Sequence, residues 1–264
     1  MKLAHVPAKT GFVWFRSGLR TFWRQPMAMA GLFFLFIMLV TVVNFVPWIG
    51  SVAALALLPA MTLGLMAATR EADAGNFPMP TILLSAFRAG RERARAMAVL
   101  GVIYAVGFLI VLWISSLIDG GQFAKLYLFG GEITVDVMQA PAFQHAMWLA
   151  MALYLPWSMV FWHAPALVHW HGVGTGQSLF FSAVACARHV GALTVYTLAW
   201  LAFGMGLGTL LLLLGVLLGE SVVMMLMFPL AMMLAAMFFS SIWFTFRDSF
   251  IADDEPAPAT TIPL

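Results

Sequence analysis

Charge is scarce in this sequence, and its scarcity decides the class of protein. Asp, Glu, Lys and Arg make up 9% of the 264 residues, whereas 63% are hydrophobic and the mean hydropathy is +0.97. A soluble domain is about 45–50% apolar and about 25% charged. One core could not enclose so much apolar surface. The composition therefore predicts an integral membrane protein, and nucleic acid is not among its predicted partners.

Cysteine pairs and catalytic motifs are also missing. Cys186 is the single cysteine, so no disulfide can form within the chain. The sequence contains no phosphate-binding loop with its lysine, no nucleophile elbow, no HExxH and no paired-carboxylate motif. The apolar runs carry no charged residue at mid-membrane, where proton relays and ion-coupled pumps need one. These absences predict a protein that is neither an enzyme nor an energised transporter, and no cofactor is predicted.

Six apolar runs are long enough to cross a membrane as helices of about 20 residues. They cover roughly residues 27–46, 51–69, 97–118, 146–168, 191–214 and 222–245. The sequence therefore predicts an all-α integral membrane protein, with one membrane domain over residues 1–250 and six transmembrane helices in three hairpins. The acidic, proline-rich tail at 251–264 is predicted to be disordered.

Lys and Arg indicate the orientation of the chain. Of the 13 such residues, all except Lys125 fall in the N-terminal arm, in the second and fourth connections, or after the last span. Cytoplasmic loops carry the excess of positive charge in membrane proteins. We therefore predict a multi-pass protein of the bacterial inner membrane, with both termini in the cytoplasm and the hairpin tips outside.

Each predicted hairpin follows a segment with amphipathic helical spacing. The segments are "GFVWFRSGLRTFWRQ", "TILLSAFRAGRERARA" and the less charged "QSLFFSAVACARHV". A helix with an apolar face and a basic face lies in the membrane interface, where arginines attract anionic lipid head groups. The residues predicted to bind head groups are Arg16, Arg20, Arg24, Arg88, Arg91 and Arg95.

The three hairpins also look like copies of one unit. A single shift brings "LP" at Pro59 onto "LP" at Pro156, and Pro229 takes the equivalent place in the last helix. We predict a pseudo-threefold repeat with these three prolines bending the returning helices, because proline removes a helical hydrogen bond. The bends would serve either packing or motion. The predicted repeat units are at about 11–75, 80–174 and 177–247.

The longest predicted external segment, residues 119–145, has a strand-like pattern. In "KLYLFGGEITVDV", two alternating runs flank a Gly-Gly pair. This pattern is typical of a β-hairpin with a tight turn, and it would place Lys125 opposite Asp136. We predict a small external β-hairpin at about 123–138 that either caps the bundle or docks a partner.

Histidines cluster in "HAPALVHWH" and shortly after it. The candidate metal ligands are His163, His169, His171, Cys186 and His189. Histidine and cysteine ligate zinc, copper and haem iron, but the chain has no CxxC motif. Histidines beside tryptophans are also ordinary anchors at the membrane interface. A metal or haem site is therefore the weaker of the two interpretations.

Two stretches resemble a known family. The layout of "LPAMTLGLMAATREADAG" followed by "LLSAFR", and of "FWHAPALVHWHGVGTGQSLFFSAVACARH", resembles an uncharacterised family of bacterial six-span inner-membrane proteins. More distantly it is similar to the membrane domain of some glycerophosphodiester phosphodiesterases and to YciC-like inner-membrane proteins. The resemblance covers most of residues 10–250. It implies no catalytic residues, and the soluble phosphodiesterase domain has no counterpart here.

Three functions fit these observations. The first is a non-catalytic scaffold or accessory subunit whose partners are membrane lipids with anionic head groups or another membrane protein. The second is a passive transporter or carrier of a small or lipidic substrate, with the prolines as hinges. The third and weakest is a haem- or metal-binding subunit. A carrier predicts a cavity near the prolines that is lined by hydroxyl groups, such as those of Tyr104, Tyr154 and Tyr196.

Overall fold

The computed structural model describes residues 2–130 and 134–251, and these are helical almost throughout. The elements are β1 (Lys2–Leu3), α1 (Thr10–Arg24), α2 (Pro26–Asn44), α3 (Gly50–Asp73), α4 (Ser85–Arg88), α5 (Arg91–Asp119), α6 (Gln122–Phe129), α7 (Val135–Gln139), α8 (Pro141–Trp162), α9 (Ala164–His171), α10 (Thr175–Arg188), α11 (Val190–Leu218), α12 (Glu220–Ser249) and β2 (Phe250–Ile251). A 3₁₀ turn at Pro80–Leu84 precedes α4. The tail that was predicted to be disordered lies outside the described residues from position 252 onward.

The described residues form two compact units. The first unit consists of residues 2–31, 66–79 and 185–251, and the second consists of residues 32–65 and 80–184. In the first unit α1 packs on α11 and α12, and the short strands β1 and β2 pair antiparallel. In the second unit α5 packs on α8 and α9. Each unit therefore has its own helical core.

Five helices in the described part of the chain are long and apolar enough to cross a membrane: α2, α3, α5, α11 and α12. The predicted fourth span, 146–168, is not among them. It corresponds to α8, whose first turns carry Gln144 and His145, and which ends at Trp162 before a separate helix α9 begins. Polar side chains and an early end make α8 a weaker spanning candidate, so the six predicted spans are not confirmed as a set.

A buried hydroxyl group accounts for the break between α8 and α9. The backbone N–H of His163 donates to Oγ of Ser182 at 2.9 Å, and that hydroxyl donates to the carbonyl of Met159 at 2.9 Å. In a regular helix the N–H of residue 163 would bond directly to the carbonyl of residue 159. A side chain inserted into this ladder bends a helix, and Pro165 favours a boundary just before it. Ser182 therefore takes the place of the missing helical bond.

The prolines of the predicted repeat all lie within helices. Pro59 is inside α3, Pro156 inside α8 and Pro229 inside α12. The backbone therefore stays helical through each of them. The threefold repeat, its unit boundaries and the role of the prolines as bends or hinges stay predictions.

The predicted external β-hairpin is wrong for its described residues. The run expected to form its first strand is α6, and the residues after the turn begin α7. Phe123 and Tyr127, one helical turn apart, pack on Phe143 and Phe108 with ring centroids 5.8 Å and 5.1 Å apart. Packing two rings on one helix face outweighs the alternation of a five-residue run, since short runs fit either period. Part of the predicted turn lies outside the described residues.

The second predicted interfacial segment is not a single helix. Gly90, with a φ of 101°, separates α4 from α5. Few residues other than glycine adopt this backbone conformation easily, so the helix stops here. Arg88 therefore ends α4, whereas Arg91 and Arg95 lie in the first two turns of α5, a spanning candidate. The segments around α1 and α10 are helical as predicted.

Candidate functional site

Helix α1 has one face fixed to protein and another exposed. Trp14 and Phe22 are 1% and 0% exposed, and the ring of Phe15 meets Trp200 edge-on with centroids 4.9 Å apart. These contacts are made with α11 and α12. The apolar face that the sequence assigned to lipid is therefore largely buried against neighbouring helices, although Phe12 remains 54% exposed.

Two glycines allow α1 to approach these helices closely. A Cβ atom at Gly11 would collide with the carbonyl oxygen of Ala192 on α11. One at Gly18 would collide with Ser241 on α12, including its Cα at 2.7 Å. Backbone atoms cannot move aside as a flexible side chain can. The short distance from α1 to α11 and α12 therefore requires glycine, which has no side chain, at positions 11 and 18.

We expect Gly18→Ala to destabilise the protein by about 1–3 kcal/mol, because overpacking forces α1 away from α12. Gly31→Ala is the matched control, since a Cβ there has no atom within 4 Å. Alanine favours a helix over glycine by up to about 1 kcal/mol, so the control is expected to be neutral or stabilising. Melting temperatures in detergent provide the measurement. Equal shifts for both variants would contradict the proposed close approach.

An ion network joins the end of α1 to the ends of α3 and α12. Nη1 of Arg24 donates to the carbonyl of Asp73 at 3.0 Å and lies 3.7 Å from its Oδ1. Arg247 lies 3.5 Å from Oδ2 of Asp73 and donates from Nε to Oδ1 of Asp248 at 2.8 Å. Nε1 of Trp14 donates to Oδ2 of Asp248 at 2.9 Å. Exposed pairs contribute about 0–1 kcal/mol each, so the network mainly positions α1.

Arg16 and Arg20 occupy the open face of α1. Both side chains are exposed, and neither forms an ion pair with another described residue. Arg24 differs from them because its guanidinium is engaged by Asp73. Of the three head-group residues predicted on this helix, two are therefore exposed cations with no ion-pair partner in the described part of the chain.

The second unit has its own basic group. Arg88, Arg91 and Arg95 are exposed, and none of them forms an ion pair with another described residue. Arg93, which was not among the predicted residues, instead donates from Nη1 to the carbonyl of His169 at 3.0 Å. Arg93 therefore ties the start of α5 to the end of α9, while its neighbours remain available for an external anion.

Three of the candidate metal ligands lie in the second unit. His163 is buried at the break after α8, and His169 and His171 are in the last turn of α9. His163 is the residue that caps α8, and the carbonyl of His169 accepts the hydrogen bond from Arg93.

The other two candidate ligands lie in the first unit. Burial raises the pKa of the Cys186 thiol to about 12, so the thiol stays protonated at neutral pH. His189 is buried too, with Nε2 2.8 Å from the carbonyl of Ala4 and Nδ1 3.1 Å from Oγ of Ser249. Because a carbonyl only accepts, Nε2 carries the proton and Nδ1 accepts from Ser249. Burial lowers the pKa of His189, which favours this neutral ring.

The candidate metal site has no geometric support. In residues 2–130 and 134–251, no three His, Cys, Asp or Glu side chains are grouped to hold a metal ion. Both ring nitrogens of His189 are occupied by protein partners. His189 is therefore a link between the N-terminal arm and the end of α12.

The tyrosines named as possible path-lining residues bond within the protein. The hydroxyls of Tyr104 on α5 and Tyr154 on α8 are 3.0 Å apart and share a hydrogen bond. Tyr196 on α11 bonds to Ser241 on α12, whose own hydroxyl donates to the carbonyl of Phe238 at 2.6 Å. These hydroxyls therefore join helices within each unit.

A groove of about 540 Å³ runs between α5 and α8 in the second unit. Its α5 wall extends from Val102 to Ile114, and its α8 wall includes Pro156 and Trp157. The indole of Trp157 fits against Gly107, where any Cβ would collide with the ring. The side chains that line the groove are apolar except for the indole N–H, so the groove suits a hydrocarbon chain.

The comparisons with known proteins place the chain in a family. It is 40% identical over 262 residues to a protein of Burkholderia thailandensis named a "probable inner membrane protein", with 98% of this chain and 97% of that protein covered. The chain belongs to this family of inner membrane proteins. No protein-family model matches it, and no solved structure matches it. The more distant resemblance to the glycerophosphodiester phosphodiesterase membrane domain and to YciC-like proteins is not supported.

Sequence reasoning missed the acidic partners in this inner-membrane protein. Asp73 and Asp248 anchor the network around α1, yet neither belongs to a recognised motif. A usable signal was present, because both acids follow predicted spans on the arginine-rich side of the membrane. Ser182 and the groove had no comparable signal, since both depend on which helices meet.

Proposed function

We propose that this inner-membrane protein is a non-catalytic scaffold or accessory subunit that binds anionic lipid head groups through the exposed face of α1. The observation that carries the proposal is the fixed position of α1. Its buried face is bound to α11 and α12, while Arg16 and Arg20 remain exposed. A cation on a preorganised helix binds an anionic surface without first paying the entropy of folding that helix.

The proposal includes the predicted orientation and the predicted partners. Both termini are in the cytoplasm, so α1 meets the anionic inner leaflet. The protein needs no cofactor or catalytic residue for this role. In the same role it would also bind another membrane protein as its partner. The carrier alternative gains less support, because the groove beside Pro156 is apolar and the tyrosine hydroxyls bond to one another or to Ser241.

The double variant Arg16→Gln, Arg20→Gln is expected to reduce the enrichment of phosphatidylglycerol around the protein. Each arginine near an anionic surface contributes about 1 kcal/mol, or about a fivefold preference per residue. The measurement is the lipid composition of polymer-bounded native membrane discs that contain the purified protein, compared with the bulk membrane. Lys125→Gln, on the predicted outer side, serves as the matched control. Unchanged enrichment in the double variant would refute the role of α1.

Single cysteines are expected to report the orientation. A membrane-impermeant maleimide should label Lys125→Cys in intact spheroplasts, but Arg20→Cys only after the membrane is opened. Background labelling should be low, because Cys186 is buried and its thiol is protonated at neutral pH. Labelling of Arg20→Cys in intact spheroplasts would reverse the proposed orientation.

A further inference from the structure

The groove between α5 and α8 opens on the outer surface of the second unit. Val102, Val106 and Ile110 form part of its α5 wall, and each is at least half exposed. Since α5 is a membrane-spanning candidate, we expect these exposed apolar side chains to face the hydrocarbon of the bilayer. A groove in such a surface is filled by whatever apolar molecule surrounds the helices.

The length of the groove matches one lipid leaflet. Its α5 wall runs from Val102 to Ile114, which is about 18 Å at 1.5 Å per residue. Half of the hydrocarbon core of a bilayer is about 15 Å thick. Because the groove begins about 10 Å along α5 from Arg95, one acyl chain of a lipid held there would occupy the end of the groove nearer to Val102.

Positive charge lies beyond one end of the groove. Arg95 precedes Val102 by two helical turns and projects from the same side of α5, about 10 Å away along the axis. Arg91 lies a further turn back, with Glu92 as the acidic neighbour. Arg95 is exposed and has no ion-pair partner among the described residues. This is where the phosphate of a phospholipid would lie if its acyl chain occupied the groove.

We propose that the α5–α8 groove, with Arg95, is a binding site for a single anionic phospholipid. One acyl chain lies between α5 and α8, and the phosphate pairs with the guanidinium of Arg95. The inference goes beyond the proposed function, because it places one lipid molecule in a shaped site and does not depend on α1.

Native mass spectrometry of the full-length protein in mild detergent tests the site. The probes are phosphatidylglycerol and phosphatidylethanolamine with identical acyl chains. The wild type is expected to retain one phosphatidylglycerol in preference to phosphatidylethanolamine. Arg95→Gln is expected to lower retention of phosphatidylglycerol about fivefold, whereas Lys125→Gln, on α6, should leave it unchanged.

A second pair of variants tests the acyl-chain part of the site. Val106→Trp fills the groove from its rim and is expected to lower retention of both lipids about tenfold or more, which is about 1.4 kcal/mol. Leu117→Trp adds the same ring to an exposed position on α5 outside the groove lining and should retain lipid as the wild type does. Val160→Trp, from the opposite wall, replaces Val106→Trp if that variant does not fold.

Three results would overturn the proposal. The first is equal lipid retention by the groove-filling variant and Leu117→Trp. The second is equal retention by Arg95→Gln and Lys125→Gln. The third is a change from dimer to monomer on filling the groove with lipid retention unchanged, which would make the groove an interface between copies. None of these results depends on Arg16 or Arg20, so failure here is distinguishable from failure of the proposed function.

Discussion

Replacing Trp14 with alanine is expected to destabilise the protein by about 3–5 kcal/mol and to release α1 from its packing against α11 and α12. Trp14 is 1% exposed, and its ring lies edge-on to Tyr196 with centroids 6.2 Å apart. Truncation leaves a cavity between α1 and its neighbouring helices, which relax only in part. The variant also removes the indole N–H that donates to Asp248, so the carboxylate loses one of its two partners among the described residues.

Trp23→Ala is the matched control for this prediction. Trp23 lies on the same helix but is 58% exposed, so its truncation creates no internal cavity. Melting temperature in detergent and protease accessibility of the N-terminal segment provide the two measurements. We expect only Trp14→Ala to melt at a lower temperature and to expose this segment. Equal behaviour of the two variants would show that the protein does not depend on the docking of α1.

Ser182→Ala is expected to destabilise the second unit at the junction of α8 and α9. The substitution leaves the N–H of His163 and the carbonyl of Met159 without the hydroxyl that now joins them. Losing a buried hydrogen bond in this way costs about 1–3 kcal/mol. Ser182 itself is fully buried, so water cannot easily take the place of its hydroxyl.

The Ser182→Ala variant could instead form a continuous helix through this junction. The N–H of His163 could then bond directly to Met159, which would straighten the segment before Pro165. Hydrogen exchange separates the two responses, because unsatisfied groups should raise exchange at residues 160–163 and a closed helix should lower it. Ser158→Ala is the control, since that hydroxyl donates to Leu155 in its own helix. No change in melting temperature or exchange for Ser182→Ala would contradict the bridging role.

The amphipathic segments show which features the sequence pattern predicts and which it does not. The spacing of aromatic residues and arginines correctly predicts a helix at α1, because that spacing depends only on the helical period. It does not reveal which cations are free. Arg16 and Arg24 look equivalent in the sequence, yet Arg24 is held by Asp73 from a segment 49 residues away. Pairing over such distances depends on which helices pack together.

The misassigned elements have the same origin. The alternation around Lys125 favours a strand locally, but the rings of Phe123 and Tyr127 contact those of Phe143 and Phe108 together only if the segment is helical. The long apolar run of the predicted fourth span is interrupted because Ser182, from another helix, enters its hydrogen-bond ladder. In both cases a contact between distant segments overrides the local preference.

The sequence by itself determined that this is a helical membrane protein with separated basic segments. Composition and hydropathy suffice for that, because the bilayer forces every spanning segment to satisfy its own backbone. Only the tertiary structure decided that α1 is docked through Trp14, Gly18 and Phe22, that no three of the candidate metal ligands are grouped within the described part of the chain, and that an apolar groove lies two turns from Arg95. Those features arise where two helices meet, and the periodicity of one helix carries no information about its neighbour.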